Sequence, residues 1–168
     1  MKEYIFDIET TDLNADIGNV IAIGLKELNG EEKILFSDNE EKLIKEFLSL
    51  LQNQITLIGF NIKKFDIPFL LYKCFVYKIN TSRLTKVNIK DVLEIVKDVF
   101  KSSSLKLSHF KKILGIEDVA NSSDIKSIYL EYLKTKEEKF KNLIIDHLKS
   151  DLIACEKVYN RLKEIGVI

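Results

Sequence analysis

The sequence predicts an α/β fold: a mixed five-stranded sheet, three antiparallel strands followed by parallel additions, flanked by helices. Three observations carry that expectation. Two β-rich runs meet across Asn29-Gly30, whose residues both tolerate the positive φ that a tight hairpin turn requires. A strand–helix–strand passage follows, and such a passage returns the chain parallel to its own sheet. The last third then loses β character and takes helical spacing as far as Gly166.

In chain order, Tyr4-Ile5-Phe6-Asp7-Ile8-Glu9 reads as a buried central strand, and Asp12 to Asp16 as a polar loop. Val20 to Leu25 and Lys33 to Phe36 complete the antiparallel part. Asn39 offers an N-cap to a helix carrying Leu43, Ile44, Phe47, Leu48, Leu50 and Leu51 at helical spacing. Ile55 to Phe60 is a fourth, β-branched run. Phe65 to Val76 is a helix with Pro68 in its first turn, where a missing N–H does no harm. Val87 to Val92 is a short fifth strand leading into a helix over Leu93 to Phe100. Ser102-Ser103-Ser104 caps a helix over Leu105 to Leu114 that Gly115 ends. Ser122-Ser123-Asp124 caps the next, and Lys134 to Lys139 marks an exposed joint before the final helix, whose buried stripe includes Ile153, Val158 and Leu162.

At 168 residues, with 46% hydrophobic and 31% charged residues and one proline, the expectation is one folded domain over residues 1–168 without long disordered tails. No apolar run approaches the roughly 18 residues that span a bilayer. The chain opens directly into a strand, without a basic leader, so the expected setting is cytoplasmic, with no membrane partner. Cys74 and Cys155 lie far apart without metal-type spacing and read as reduced core thiols. Zero formal charge counts against tight, sequence-independent binding of long polyanions, which needs many phosphate contacts. It leaves room for an enzyme that holds a few nucleotides, using lysines such as Lys63, Lys64, Lys106 and Lys149.

The chemistry lies in spaced acids. Asp7 and Glu9 are two apart on a strand and point to one face. Like charges near a core are costly unless a cation sits between them, and a divalent metal is the simplest such partner. Taken alone, an Asp-x-Glu pair also describes a solvated rim. Asp66 starts a helix, where a carboxylate is also a favourable cap. His147 and Asp151 are four apart on one helical face, which also describes a surface pair. Asp91 and Asp146 read as capping or solvated acids, with Asp146 a spare.

In this order the pieces resemble the DEDD superfamily of 3′–5′ exonucleases, which have a ribonuclease-H-like fold. Asp7-Ile8-Glu9-Thr10-Thr11 is similar to the first exonuclease motif, Asn61 to Leu70 to the second as found in proofreading domains of replicative polymerases, and His147 to Asp151 to the third. Leu107 to Ile116 is similar to the helix before the third motif, so the resemblance spans nearly the whole chain. Within the superfamily the chain looks most like the YprB-like group. The third motif departs from the familiar branches: one has Tyr four residues before the last Asp, the other His five before it, and here His stands at the tyrosine spacing.

The resemblance implies hydrolysis of phosphodiester bonds at single-stranded DNA or RNA 3′ ends with two Mg²⁺ or Mn²⁺ ions. It implies that Asp7 bridges both ions, that Glu9 and Asp151 hold the ion that activates water, and that Asp66 supports the other. His147 is the implied general base or water-orienting group. Thr10 and Leu13 are implied contacts of the terminal nucleotide; Asn61 and Phe65 are implied to line the groove, although Phe65 also reads as core. Processivity would come from a protein partner. The alternative is a catalytically inactive module of the same fold that binds nucleic acid or scaffolds other proteins, which four intact acids argue against.

Overall fold

The computed structural model describes residues 2–51 and 54–168. Its strands are β1 (Lys2–Thr10), β2 (Val20–Glu27), β3 (Glu32–Phe36), β4 (Ile55–Gly59) and β5 (Asn88–Asp91). They form one five-stranded sheet in the order β3-β2-β1-β4-β5. The β1–β2 and β2–β3 pairs are antiparallel, and the β1–β4 and β4–β5 pairs are parallel. The helices are α1 (Glu40–Leu50), α2 (Asp66–Tyr77), α3 (Val92–Val99), α4 (Leu107–Leu114), α5 (Ile125–Thr135) and α6 (Glu138–Glu164). Short 3₁₀ turns occupy Leu84–Lys86 and Ser122–Asp124. The mixed sheet and its hairpin agree with expectation: Asn29 has φ 59°, and the Gly30 N–H closes the turn on the Glu27 carbonyl.

β1 is the middle strand, hydrogen-bonded on both sides, and its alternation sorts two cores. Phe6 and Ile8 pack with Leu43, Ile44, Phe47 and Leu70 of α1 and α2. Ile5 packs on the opposite face with Leu148, Leu152 and Cys155 of α6. Asp7 and Glu9 share the parity of Ile5 and are thereby turned toward α6. A stripe of Ile144, Leu148, Leu152, Cys155, Tyr159 and Leu162 presses that helix onto the sheet. Burying each Leu or Ile contributes about 1.5–3 kcal/mol, so this long helix is anchored although its other face is charged. Gly24, paired with Asp7 across β1–β2, lets α6 approach; a Cβ there would lie 2.6 Å from Leu152.

Three local expectations are corrected. Ile153 is only half-buried, because the stripe runs through Leu152 and one residue on a helix rotates the side chain by about 100°. Lys106 stands at the N-cap of α4 without a side-chain cap, so that helix starts later than the serine run suggested. Ser122-Ser123-Asp124 forms a 3₁₀ turn, and no side-chain hydrogen bond caps α5. The joint before α6 is where expected: Lys136 takes the left-handed conformation at φ 56°. Among the described residues, no helix is long and apolar enough to cross a membrane.

Gly59 is the tightest point beside the acids. A Cβ there would lie 2.5 Å from the Phe6 carbonyl oxygen and 2.2 Å from Ile62 Cγ2. The carbonyl is backbone of the central strand, one residue before Asp7, and cannot swing aside. Gly59→Ala is expected to destabilise by about 1–3 kcal/mol, which at roughly 2–4 °C per kcal/mol for a chain of this size is readable by thermal melting. An unchanged Tm would show that this end of β1 is softer than its packing indicates.

Candidate active site

The sheet and helices bring five sequence-predicted residues to one cavity of about 710 Å³: Asp7 and Glu9 from β1, Asp66 from the start of α2, and His147 and Asp151 from α6. One ligand atom from each of Glu9, His147 and Asp151 lies within 4.8 Å of the others. His147 Nε2 is 3.8 Å from Glu9 Oε1 and 4.0 Å from Asp151 Oδ2. Asp66 reaches back to the central strand, its Oδ1 accepting the Ile8 N–H at 3.1 Å. That bond ties the start of α2 to the residue between Asp7 and Glu9.

Burial, followed by the charges of Asp66, Asp151 and Glu9, pushes the Asp7 carboxyl well above the usual carboxylate range. Burial, then Asp151 and Asp66, does the same to Glu9. Burial also lifts Asp66, to about 7, against the opposing pull of its own and the Ile8 N–H groups. Cys155 lies one turn beyond Asp151 on α6, and burial, with Asp7 and Asp151 nearby, raises its thiol far from ionisation. Cys155 therefore serves as neutral filling behind the acids, and both cysteines are free and buried as expected.

His147 is 3% exposed, so it is no surface histidine. Its Nε2 lies 3.2 Å from Ser122 Oγ, while its Nδ1 is buried without a hydrogen-bond partner among the described residues. Asp91 is also buried, but it is fully committed to backbone: it accepts the N–H groups of Asn61, Lys63 and Leu93. The capping reading of Asp91 therefore holds, and the solvated reading of Asp146 agrees with its exposed position.

Thr10, Leu13, Asn61 and Phe65 line the same cavity as the acids. Thr10 Oγ1 donates to the Asp12 carbonyl, stiffening the loop that carries the 80% exposed Leu13. Asn61 has φ 69°, a conformation its short amide side chain tolerates, and its carbonyl accepts from Lys64 and Phe65. Phe65 is half-buried with its ring 5.7 Å from that of Phe69, so it is both cavity wall and core.

Sequence reasoning missed Lys111 and Ser122. Lys111 is 2% exposed, and its ammonium lies against the carboxylates of Asp118 and Asp151. Burial opposes its charge, but Asp151 and Asp118 outweigh burial and raise its pKa. A signal was present: Lys111 sits four residues after Leu107 and three before Leu114, on the apolar face of α4. Nothing local announces that Ser122, far away in sequence, would meet His147.

These shifts make stability depend on pH. Asp66, at about 7 when folded, lies near 3.9 when unfolded. Between those values the folded state holds protons that the unfolded state has released, so stability falls as pH rises. In EDTA, Tm is expected to drop from pH 5 to pH 8, and Asp7→Asn to raise Tm at pH 8 and shrink the drop. A mutant less stable than wild type at pH 8 would contradict the crowding of charge described here.

Comparison with known proteins agrees with this architecture. The chain is 30% identical over 177 aligned residues to an uncharacterized protein of Methanocaldococcus jannaschii, covering 100% of this chain and 99% of the other. Its fold is similar to part of the family B DNA polymerase of Pyrobaculum calidifontis, with a TM-score of 0.76 at 12% identity over 99% of this chain. It is also similar to E. coli Exonuclease I in complex with a dT13 oligonucleotide, with a TM-score of 0.66 at 13% identity over 96% of this chain. The chain spans only 25% of that polymerase and 41% of that exonuclease. Residues 4–163 match the family model described as the RNase H superfamily, and the chain belongs to that superfamily.

Proposed function

We propose that this chain is a metal-dependent 3′–5′ exonuclease that hydrolyses phosphodiester bonds at single-stranded DNA or RNA ends, with residues 1–168 acting as one catalytic domain in the cytoplasm. The observation that carries the reading is the meeting of Asp7, Glu9, Asp66, His147 and Asp151, from three separate segments, in one cavity. Superfamily membership and the fold shared with an exonuclease that was crystallised with a DNA oligonucleotide support it.

The donor set fits divalent ions. Carboxylates whose protons are held by burial and then by mutual repulsion gain most from a cation, and hard oxygen donors suit Mg²⁺ or Mn²⁺. Asp7, Glu9, Asp66 and Asp151 would hold two such ions. When bound, the ions supply a hydroxide at neutral pH and offset charge on the scissile phosphate.

The chain's own residues do the positioning. The Ile8 N–H fixes the Asp66 carboxylate, and Lys111 holds Asp151 by one oxygen. His147 presents Nε2 between Glu9 and Asp151, where it can orient a water or take its proton. The Phe60 and Phe65 rings offer flat surfaces for a terminal base, and Thr10 and Leu13 line the same cavity. With zero formal charge and a cavity sized for a short stretch of strand, processivity would depend on a protein partner.

On labelled single strands, Asp7→Ala is expected to abolish Mn²⁺-dependent hydrolysis while keeping the fold, because removing one buried acid relieves repulsion. Near-wild-type turnover by that mutant in Mg²⁺ would defeat the metal mechanism, and matched RNA and DNA strands would assign the substrate.

His147→Ala is expected to lower turnover by about 10²–10⁴ with little change in metal affinity, and His147→Tyr to retain more activity than His147→Ala. Equal rates for wild type and His147→Ala across pH 6 to 9 would remove His147 from the chemistry.

A further inference from the structure

A second cavity, of about 510 Å³, adjoins the acid-lined one and shares Ser122, Ser123, His147 and Asp151 with it. The two differ in what else lines them. The first carries Phe60, Phe65 and Leu13. The second carries Lys106, Ser108 and Asn121 and no aromatic ring apart from the shared His147. Lys106 has no ion pair among the described residues, whereas Asp118, the other acid of this cavity, is committed to Lys111. Of the other lysines expected near the groove, Lys63 is paired with Glu94 and Lys149 with Glu32, and Lys64 lines neither cavity. Lys106 is thus an uncommitted cation lining a cavity that opens onto the acid cluster. The first turn of α4 adds backbone N–H groups beside it, since no side chain caps that helix.

A strand cut at the acid cluster must continue past it. Flat rings suit a base, while an ammonium, hydroxyls and free N–H groups suit a phosphate. Resting on the exonuclease reading above, we propose that the second cavity is the subsite for the phosphate one nucleotide 5′ of the scissile bond. The terminal nucleoside then occupies the aromatic-lined cavity, and the shared Ser122–His147 wall marks the scissile position between them. The chain grips its substrate by one phosphate beyond the cut, through Lys106 and the start of α4. This local grip is compatible with zero net charge, because it asks for one contact rather than a basic track.

The test compares a methylene-bridged, non-hydrolysable thymidine dinucleotide with and without a 5′-phosphate, bound by calorimetry in Mn²⁺, alongside hydrolysis of TpT and pTpT. Wild type is expected to bind the 5′-phosphorylated analogue about tenfold more tightly. Lys106→Glu is expected to bring that ratio close to one. Ser108→Asp should do the same while leaving α4 intact, because an acid in the first helical turn favours the helix but repels phosphate. A wild-type ratio near one, or a ratio kept by both variants, overturns the subsite. A tenfold ratio without hydrolysis of any strand supports the subsite and overturns the exonuclease reading instead.

Discussion

Asp7, Glu9 and Asp66 are held beside Asp151 in an interior that resists ionising those three. Their repulsion acts at the end of β1, and the scaffold around that strand is what contains it. β1 is paired on both sides. The Asp66 carboxylate accepts from Ile8 in the same strand, so the start of α2 cannot drift from the acids it repels. On the other face α6 carries Asp151 and is pressed down by its apolar stripe over Gly24. Among the described residues, Lys111 then supplies the one buried ammonium in contact with a member of the group. Breaking a buried pair by removing one partner typically costs about 3–5 kcal/mol, so Lys111 is as much a condition of the assembly as the acids are.

Buried carboxylates elsewhere in the chain show what an acid with a purely structural role looks like. Glu40 accepts from the Val20 N–H, Asn19 and the Tyr77 hydroxyl, and pairs with Lys73. Glu156 accepts from the Asn29 N–H and pairs with Lys26, pinning the β2–β3 hairpin to α6. Asp91 takes three backbone N–H groups. Each is satisfied locally by the donors around it. Asp7 and Glu9 accept no hydrogen bond among the described residues, and their carboxyls are pushed far upward. That contrast, more than the number of acids, separates a candidate cation site from ordinary capping and latching.

Two further polar groups belong to the same region. His147 has one ring nitrogen facing Glu9, Asp151 and Ser122 and the other buried without a hydrogen-bond partner among the described residues. The segment that brings Ser122 there is tethered to α4 and α6 through Asp118 on Lys111 and through the Ser150 hydroxyl on the Glu117 carbonyl. These bonds hold in place the segment that leads to Ser122 and Ser123, which line both cavities.

Local patterning by itself determined the strand and helix order, the Asn29-Gly30 turn, the central place of β1 and the common face of Asp7 and Glu9, because periods of two and 3.6 residues are properties of the backbone alone. It also made the four acids and His147 legible as candidates, through spacing and through resemblance to a known motif order. It did not reveal Lys111, whose burial reads as an error in an apolar stripe until Asp118 and Asp151 are placed beside it. Nor did it locate the start of α4, where Lys106 and not a serine stands at the cap, or choose Leu152 over Ile153 for the face of α6. Only the tertiary structure decided those points, and for one reason: whether a buried charge is tolerated, and which way a cavity opens, depends on groups that are distant in sequence and adjacent in space.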